Sequence, residues 1–542
     1  MTRAQALSVD FPTHGHNPTL LILVLLPLAG SLVVFGLKET QAKLAKLISL
    51  AVSLVVLVYT VVLLFGFDTG GGAKRLQYFG SWPWIKDFGV HLAFGVDGIA
   101  IVLLFMSVVL VPAVILASWN TLDSKSGAEE AVPPAGSAAG GAARRTRSVK
   151  NYFALLLLLE FFMVGVFTAA DVFLFYVFFE AMLVPMYFII GSFGGPRRQY
   201  AAMKFFLYSL IGGLLMLAAV IGVYVSSGTS SFAIGDLVGH VPEGNTGRWL
   251  FLGFFIAFAI KAPLVPFHTW LPDAGAEAPA GGAALLVGVL DKVGTFGFLR
   301  YCLPLFPSAS RTFAPAIMIL SVIGILYAAF LAIGQRDMKR LVAYTSVAHF
   351  GFIGLGIFAF TTQSGSGAVL YMVNHGFSTG ALFLVVGMLI ARGKSRNVDD
   401  YGGAAKVTPI LGGLFLITGL SALALPGLGT FISEFLVLVG TFTRHKALAI
   451  IATTGIILAA IYVLYLYQRA FQGTVSERVA KFRDLNPREI LAVAPLLALI
   501  VFLGVYPRPI LDVINPAVKA TLVNVHKTDP TPVYGTADGA RK

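Results

Sequence analysis

Stretches of about twenty apolar residues recur along nearly the whole chain, and they constrain its fold more than any other feature. A hydrocarbon core of ~30 Å takes ~20 apolar residues of helix to cross, and inside it only helices and closed barrels satisfy every backbone polar group. The runs fall at about 18 to 37, 44 to 66, 96 to 118, 151 to 170, 172 to 191, 200 to 225, 248 to 271 and 277 to 302. Six more lie near 313 to 334, 340 to 360, 366 to 391, 408 to 442, 447 to 471 and 489 to 506. Only 12% of the residues are charged and 57% are hydrophobic. A soluble domain carries ~25% charged residues, so this chain cannot clothe itself for water. The expected fold class is an all-α polytopic membrane protein of about fourteen transmembrane helices.

The segment before the first run carries Arg3 and Asp10 but not the basic region, short apolar stretch and small-residue cleavage site of a secretory leader, so that run is expected to be retained. A net charge of +13 would raise nucleic acid as a partner for a soluble protein. Here the basic residues lie mainly in short loops, where they set orientation, and no nucleic-acid partner is expected. Of 39 Lys and Arg, 23 fall in the loop after the first span and every second loop thereafter, 14 on the other side with both tails, and Lys261 and Lys292 inside spans. The positive-inside rule then places both termini outside the cytoplasm, in a bacterial inner (plasma) membrane. The lone cysteine, Cys302, excludes internal disulfides, CxxC zinc sites and any iron–sulfur cluster ligated by this chain alone. No glycine-rich nucleotide loop joins a strand to a helix. Neither a metal nor a cofactor site is expected here, and electrons are expected to be handled elsewhere.

Residues 1–123 read as a three-span region with an external hairpin near 81–96, where Phe88, Val90, Leu92, Phe94 and Val96 alternate after Ser81-Trp82-Pro83-Trp84. Residues 124–149, rich in Ala and Gly, read as a flexible cytoplasmic linker. Two later spans look broken. The seventh contains Lys261-Ala262-Pro263-Leu264-Val265-Pro266, and the twelfth run is too long for one crossing and contains Leu425-Pro426-Gly427-Leu428-Gly429. Interrupted helices at matching positions of two five-span units are a transporter signature of inverted repeats, with the pathway running past the breaks. The units are expected at 150–302 and 313–471, followed by a last span and C-terminal tail over 472–542.

Ionisable residues inside spans are rare because a charge at the bilayer centre costs at least ~2.5 kcal/mol. Glu180 has about nine apolar neighbours on each side, and Glu160 lies mid-span in the preceding helix, as a second input-side acid or a structural partner. Lys261 directly precedes a break, where freed carbonyls and water solvate an ammonium. Lys292 is central in the eighth span, beside Asp291, which either partners it or points elsewhere because adjacent helical residues do not share a face. His349 and His375 are central in spans ten and eleven, and each alone also reads as a core histidine satisfied by one hydrogen bond. Glu434 follows the second break and reads as the exit-side carboxylate. Together Glu180, Lys261, Lys292, His349, His375, Glu434 and Glu160 are the candidates for carrying protons. His268, Trp270, Asp273 and Glu277 lie at a helix end and read as structural.

The segments FFEAMLVPMYFIIG, KAPLVPFHTWLPDA, RDMKRLVAYTSVAHFGF and PGLGTFISEF, in that order, resemble the antiporter-like subunits of respiratory complex I, the proton-translocating NADH–quinone oxidoreductase. The similarity runs from about residue 81 to 475. The resemblance implies a fourteen-helix fold of two inverted five-helix repeats, a Glu180–Lys261 pair, a central lysine at Lys292, connecting histidines at His349 and His375, and a terminal acid at Glu434. It also implies a translocase subunit with no redox centre of its own: FMN, iron–sulfur clusters and quinone belong to partner subunits. Expected partners are other membrane subunits of that complex, the homologous antiporter-like subunits L and N among them. In L and N a lysine usually takes the position of Glu434, and L bears a long lateral helix. This chain departs from the family at its Ala/Gly insertion and at Asp291. A multi-subunit Na+/H+ antiporter or a membrane-bound hydrogenase of the same fold is the alternative. A membrane scaffold whose charges stay locked in pairs is the third reading.

Overall fold

The computed structural model describes residues 11–12, 15–70, 75–120 and 148–530. Each of the fourteen apolar runs forms helix. The first three spans are α1 (Thr19–Gly36), α2 (Ala42–Phe65) and α3 (Gly98–Ala117), with an antiparallel hairpin of β1 (Gln77–Ile85) and β2 (Val90–Val96) before α3. A five-span unit follows: α4 (Val149–Thr168), α5 (Val172–Phe193), α6 (Arg198–Ser227), the interrupted α7 (Gly244–Lys261) and α8 (Leu271–Glu277), then α9 (Ala280–Leu305). A second unit repeats the order as α10 (Pro307–Ile333), α11 (Met338–Phe358), α12 (Thr362–Gly393), the interrupted α13 (Pro409–Ala422) and α14 (Gly429–Phe442), then α15 (Lys446–Phe471). The last span is α16 (Pro487–Val505), and α17 (Arg508–Asn524) follows it. The expected linker at 124–149 falls outside the described residues except for Ser148 and Val149, which cap and begin α4.

Twelve of these helices are long and apolar enough to cross a membrane, and the two spans missing from that dozen are the interrupted ones. Five is odd, so the second unit enters from the side opposite the first. The third span of each unit is its longest helix, 30 residues in α6 and 32 in α12. The apolar windows of α9 and α12 are 100% buried, whereas those of α2, α15 and α16 are only 28–33% buried. The core of the bundle is therefore α9, α12 and their neighbours, and the peripheral helices present the apolar surface that lipid requires.

Each interruption has a local cause. Pro263 and Pro266 supply no N–H to continue α7. The carbonyl of Ile260, freed at its end, accepts a 2.9 Å hydrogen bond from Trp270 Nε1. Between α13 and α14, Ala424 (φ 60°) and Gly427 (φ 92°) turn the chain through the left-handed region, and Gly427 takes that conformation without the steric cost of a Cβ. The break is clamped from α12, where Asn374 Nδ2 donates to Gly429 O at 2.7 Å and to Ser433 Oγ at 3.1 Å.

Within the expected C-terminal tail, residues Arg508–Asn524 form the helix α17. In α17 the buried Ile510, Ile514, Val518 and Leu522 recur every four residues, and α17 lies close against the start of α3: a Cβ at Gly98 would fall 1.9 Å from Val513 O. Ser366 Oγ donates to Asn515 Oδ1 at 2.7 Å and Arg311 donates to Val525 O at 2.9 Å. An amphipathic helix of this kind carries too few apolar residues to register as a span.

Candidate functional site

In the first unit, Glu180 stands just before a relaxation of α5 at Met182. Pro185 has no N–H for the carbonyl four residues earlier, so the helix slackens there. The carboxylate fits against α6 only because position 213 is glycine: a Cβ on Gly213 would fall 1.7 Å from Glu180 Oε1. Lys261, 1% exposed, ends α7 with its ammonium 4.6 Å from the centroid of the Phe179 ring. Lys261 Nζ and Glu180 Oε1 have no hydrogen-bond partner among the described residues. The two charges act on one another electrostatically, but no ion pair of 4.0 Å or less joins them. The Glu180–Lys261 pair that the resemblance implies is thus a separated one here, with Phe179 offering its ring face to the cation.

Lys292 lies on α9, whose helix widens into π turns at Leu286–Leu290 and Phe298–Cys302 on either side of Asp291–Gly297. Such turns recur at functional sites. Here the widened turn presents the Val287 carbonyl to the ammonium of Lys292 at 2.5 Å. The same ammonium lies 2.6 Å from His375 Nδ1 and 5.3 Å from the centroid of the Phe350 ring. Lys292 thus leaves the first unit and meets the second.

From His375 the polar row continues through the second unit. The rings of His375 and His349 meet edge to face, with centroids 5.1 Å apart. His349 Nε2 lies 3.0 Å from the carbonyl of Ala422, which the second break frees. That bond assigns the proton to Nε2 and leaves Nδ1 as an acceptor. His349 also lies 5.7 Å, centroid to centroid, from Tyr371, whose hydroxyl donates to Glu434 Oε2 at 3.0 Å. Lys292, His375, His349, Tyr371 and Glu434 are all buried.

One member of this row, Tyr371, escaped sequence reasoning. Tyr371 precedes His375 by four residues in YMVNH, which puts both on one helical face, and that spacing was the available signal. Asp291 was noticed, but its direction was open. Glu160 is fully buried and neither of its oxygens has a hydrogen-bond partner among the described residues. Among the described residues it also has no ion pair. The loop carrying His268, Trp270, Asp273 and Glu277 forms ties between helices. Asp273 binds Lys204 and Arg340, each at 2.7 Å, and Glu277 binds Arg396 at 3.1 Å.

Chemically, an amine, two imidazoles, a phenol and a carboxyl group in sequence can each hold and release a proton. In a low-dielectric interior a charge without a partner is costly, so a proton arriving at one end favours release at the other.

The profile described as "NADH:quinone oxidoreductase/Mrp antiporter, TM" matches residues 169–459. NADH-quinone oxidoreductase subunit M of Mycobacterium tuberculosis is 49% identical over 536 residues, covering 96% of each chain. A chain of respiratory complex I from Thermus thermophilus superposes with a TM-score of 0.81 at 30% identity, over 93% of this chain and 99% of that one. A chain of the Mrp complex from Dietzia sp. shares the fold, with a TM-score of 0.77 at 19% identity over 97% and 100% of the two chains. This chain therefore belongs to the NADH:quinone oxidoreductase/Mrp antiporter transmembrane family and, within it, to the subunit M family of NADH-quinone oxidoreductases.

Proposed function

We infer that the chain moves protons across the membrane as a subunit of a redox-driven NADH–quinone oxidoreductase, through Glu180, Lys261, Lys292, His375, His349 and Glu434. The observation that carries this reading is the buried row from Lys292 Nζ through His375, His349 and Tyr371 to Glu434. A scaffold would keep its charges locked in pairs, whereas Lys261 Nζ and both oxygens of Asp291 have no hydrogen-bond partner among the described residues. The chain acts as one part of a translocase: flavin, iron–sulfur clusters and quinone sit in partner subunits, with the antiporter-like subunits L and N as neighbours. The Na+/H+ antiporter reading is supported by the family profile, whose description also names the Mrp antiporter, and by the fold of the Mrp chain at 19% identity. Purifying the native complex and identifying its companion chains separates the two readings, since redox subunits support the first and their absence supports the second.

The test within the chain is Lys261→Ala, which is expected to lower quinone-coupled proton pumping by about a hundredfold, the scale of one lost acid–base group, in a complex that still assembles. Unchanged pumping in that complex would sink the proposal.

The distribution of Lys and Arg among the loops supports a topology with both termini on the periplasmic face of a bacterial inner membrane. Cys302 is buried, so a single exposed cysteine introduced on α17, as Lys519→Cys, reports topology against little background. An impermeant thiol reagent is expected to label it from outside in intact cells. Labelling only after the cytoplasmic face is opened would invert the topology.

A further inference from the structure

Asp291 is a buried acid that the row from Lys292 to Glu434 does not use. Its side chain is fully buried, and neither carboxylate oxygen has a hydrogen-bond partner among the described residues. An unpaired carboxyl group in a membrane interior is expensive enough to call for a reason. Its direction follows from the backbone. Positions 291 and 294 lie on one face of the α-helical stretch Asp291–Gly297. A Cβ at Gly294 would fall 2.4 Å from Phe258 O and 2.6 Å from Ala262 N, so this face of α9 touches the C-terminal end of α7, where Lys261 stands. Lys292 lies about 100° further round the helix and reaches His375 and Phe350 in the second unit. Asp291 acts electrostatically on both Lys261 and Lys292.

We propose that Asp291 is a proton carrier linking Lys261 on α7 to Lys292 on α9, the join between the separated charges of the first unit and the connected row of the second. The proposal rests on the proton-translocating reading above. The carboxylate takes a proton from the Lys261 ammonium, leaving a neutral amine and a carboxylic acid. The acid then gives that proton to the neutral Lys292 amine and returns to carboxylate. One O–H bond forms and breaks, and one proton advances from one lysine to the next. Each step interconverts an ion pair and a neutral pair, so neither lysine has to release its proton into a bare apolar space.

The competing role for Asp291 is a fixed counter-ion that holds charge on the two lysines without taking a proton. The experiment uses the assembled complex in proteoliposomes, with Asp291→Asn, Asp291→Glu and, as reference, Lys261→Ala. The reference is expected to lose pumping, Asp291→Asn to fall by about tenfold or more, and Asp291→Glu to stay within about threefold of the unmodified complex, since it keeps a titratable carboxyl group. Infrared difference spectra during turnover are expected to show a carboxylic-acid C=O band that is present in the unmodified complex and missing from Asp291→Asn. Pumping near the unmodified rate in Asp291→Asn, with the reference variant inactive, overturns the carrier and leaves the function intact. Pumping in Lys261→Ala as well overturns the function itself. The absence of a turnover-dependent acid band assigned to Asp291 overturns the carrier in favour of the fixed counter-ion, even if Asp291→Asn pumps poorly. Should Asp291→Asn fail to assemble, the Asp291→Glu variant decides the same question, because the acid band of a carrier shifts with the longer side chain and an unshifted spectrum rejects it.

Discussion

The Lys292→Ala substitution is expected to stop proton-coupled turnover almost completely, by about a hundredfold or more. Lys292 is where the polar row crosses from the first unit to the second. Its ammonium is 2.6 Å from His375 Nδ1, and its own helix belongs to the first unit. Removing it leaves His375 without its amine partner and the Val287 carbonyl without its donor. Truncation in a closely packed interior also opens a cavity at ~2–5 kcal/mol, so alanine alone would not separate lost chemistry from lost packing. Lys292→Met fills the volume of the stem without a titratable group and is expected to assemble fully and pump as poorly as the alanine variant. Lys292→Arg is the sharper control, because a guanidinium keeps the positive charge and does not release its proton at working pH. All three variants are expected to fail. An arginine variant that pumps normally would reduce Lys292 to a fixed charge, and a methionine variant that does so would remove it from the pathway. The measurement is quinone-driven acidification in proteoliposomes, normalised to the amount of assembled complex.

The spans, the two interruptions and the lone ionisable residues were legible in the sequence, because each violates a rule that water or lipid enforces locally. Twenty apolar residues in a row, two prolines in mid-helix and a glutamate among phenylalanines are visible one segment at a time. What the sequence withheld were relations between segments. The resemblance implied a Glu180–Lys261 pair but not its geometry, and the packing of Phe179 and Gly213 sets where those two side chains can lie. The direction of Asp291 depends on the close approach of Gly294 to α7, which no periodicity in α9 announces. The π turns that bring the Val287 carbonyl to Lys292 have no sequence signal either, since they add one residue to a turn without altering its apolar character. The helix α17 was passed over for the opposite reason. Its Ile510, Ile514, Val518 and Leu522 stripe is readable at helical spacing, but a search for long apolar runs is blind to an amphipathic helix lying on the end of a bundle.

Glu434→Gln is expected to lower pumping by about a hundredfold while leaving the bundle intact, and it isolates proton transfer at the far end of the row. Glutamine has nearly the size of glutamate, and its amide oxygen can accept the Tyr371 hydroxyl in place of Oε2, 3.0 Å away in the native chain. The hydrogen bond and the packing are therefore kept, and only the ability to take up and release a proton is lost. Glu434→Asp keeps the carboxyl group on a shorter stem, and a partial rate is expected. Tyr371→Phe tests the step before it. The ring and its contact with His349 remain, but the hydroxyl that joins the imidazole side to the carboxylate is gone. A lost hydrogen bond of this kind is worth ~0.5–1.5 kcal/mol in stability, too little to unfold a bundle of this size. A fall in Tyr371→Phe that approaches the fall in Glu434→Gln would make the phenol an obligatory carrier between His349 and Glu434. If Tyr371→Phe pumps as the unmodified chain does while Glu434→Gln is inactive, the phenol only positions the carboxylate, and protons reach Glu434 from His349 by another route. Glu434→Gln pumping at the full rate would end the row at His349 and remove its exit.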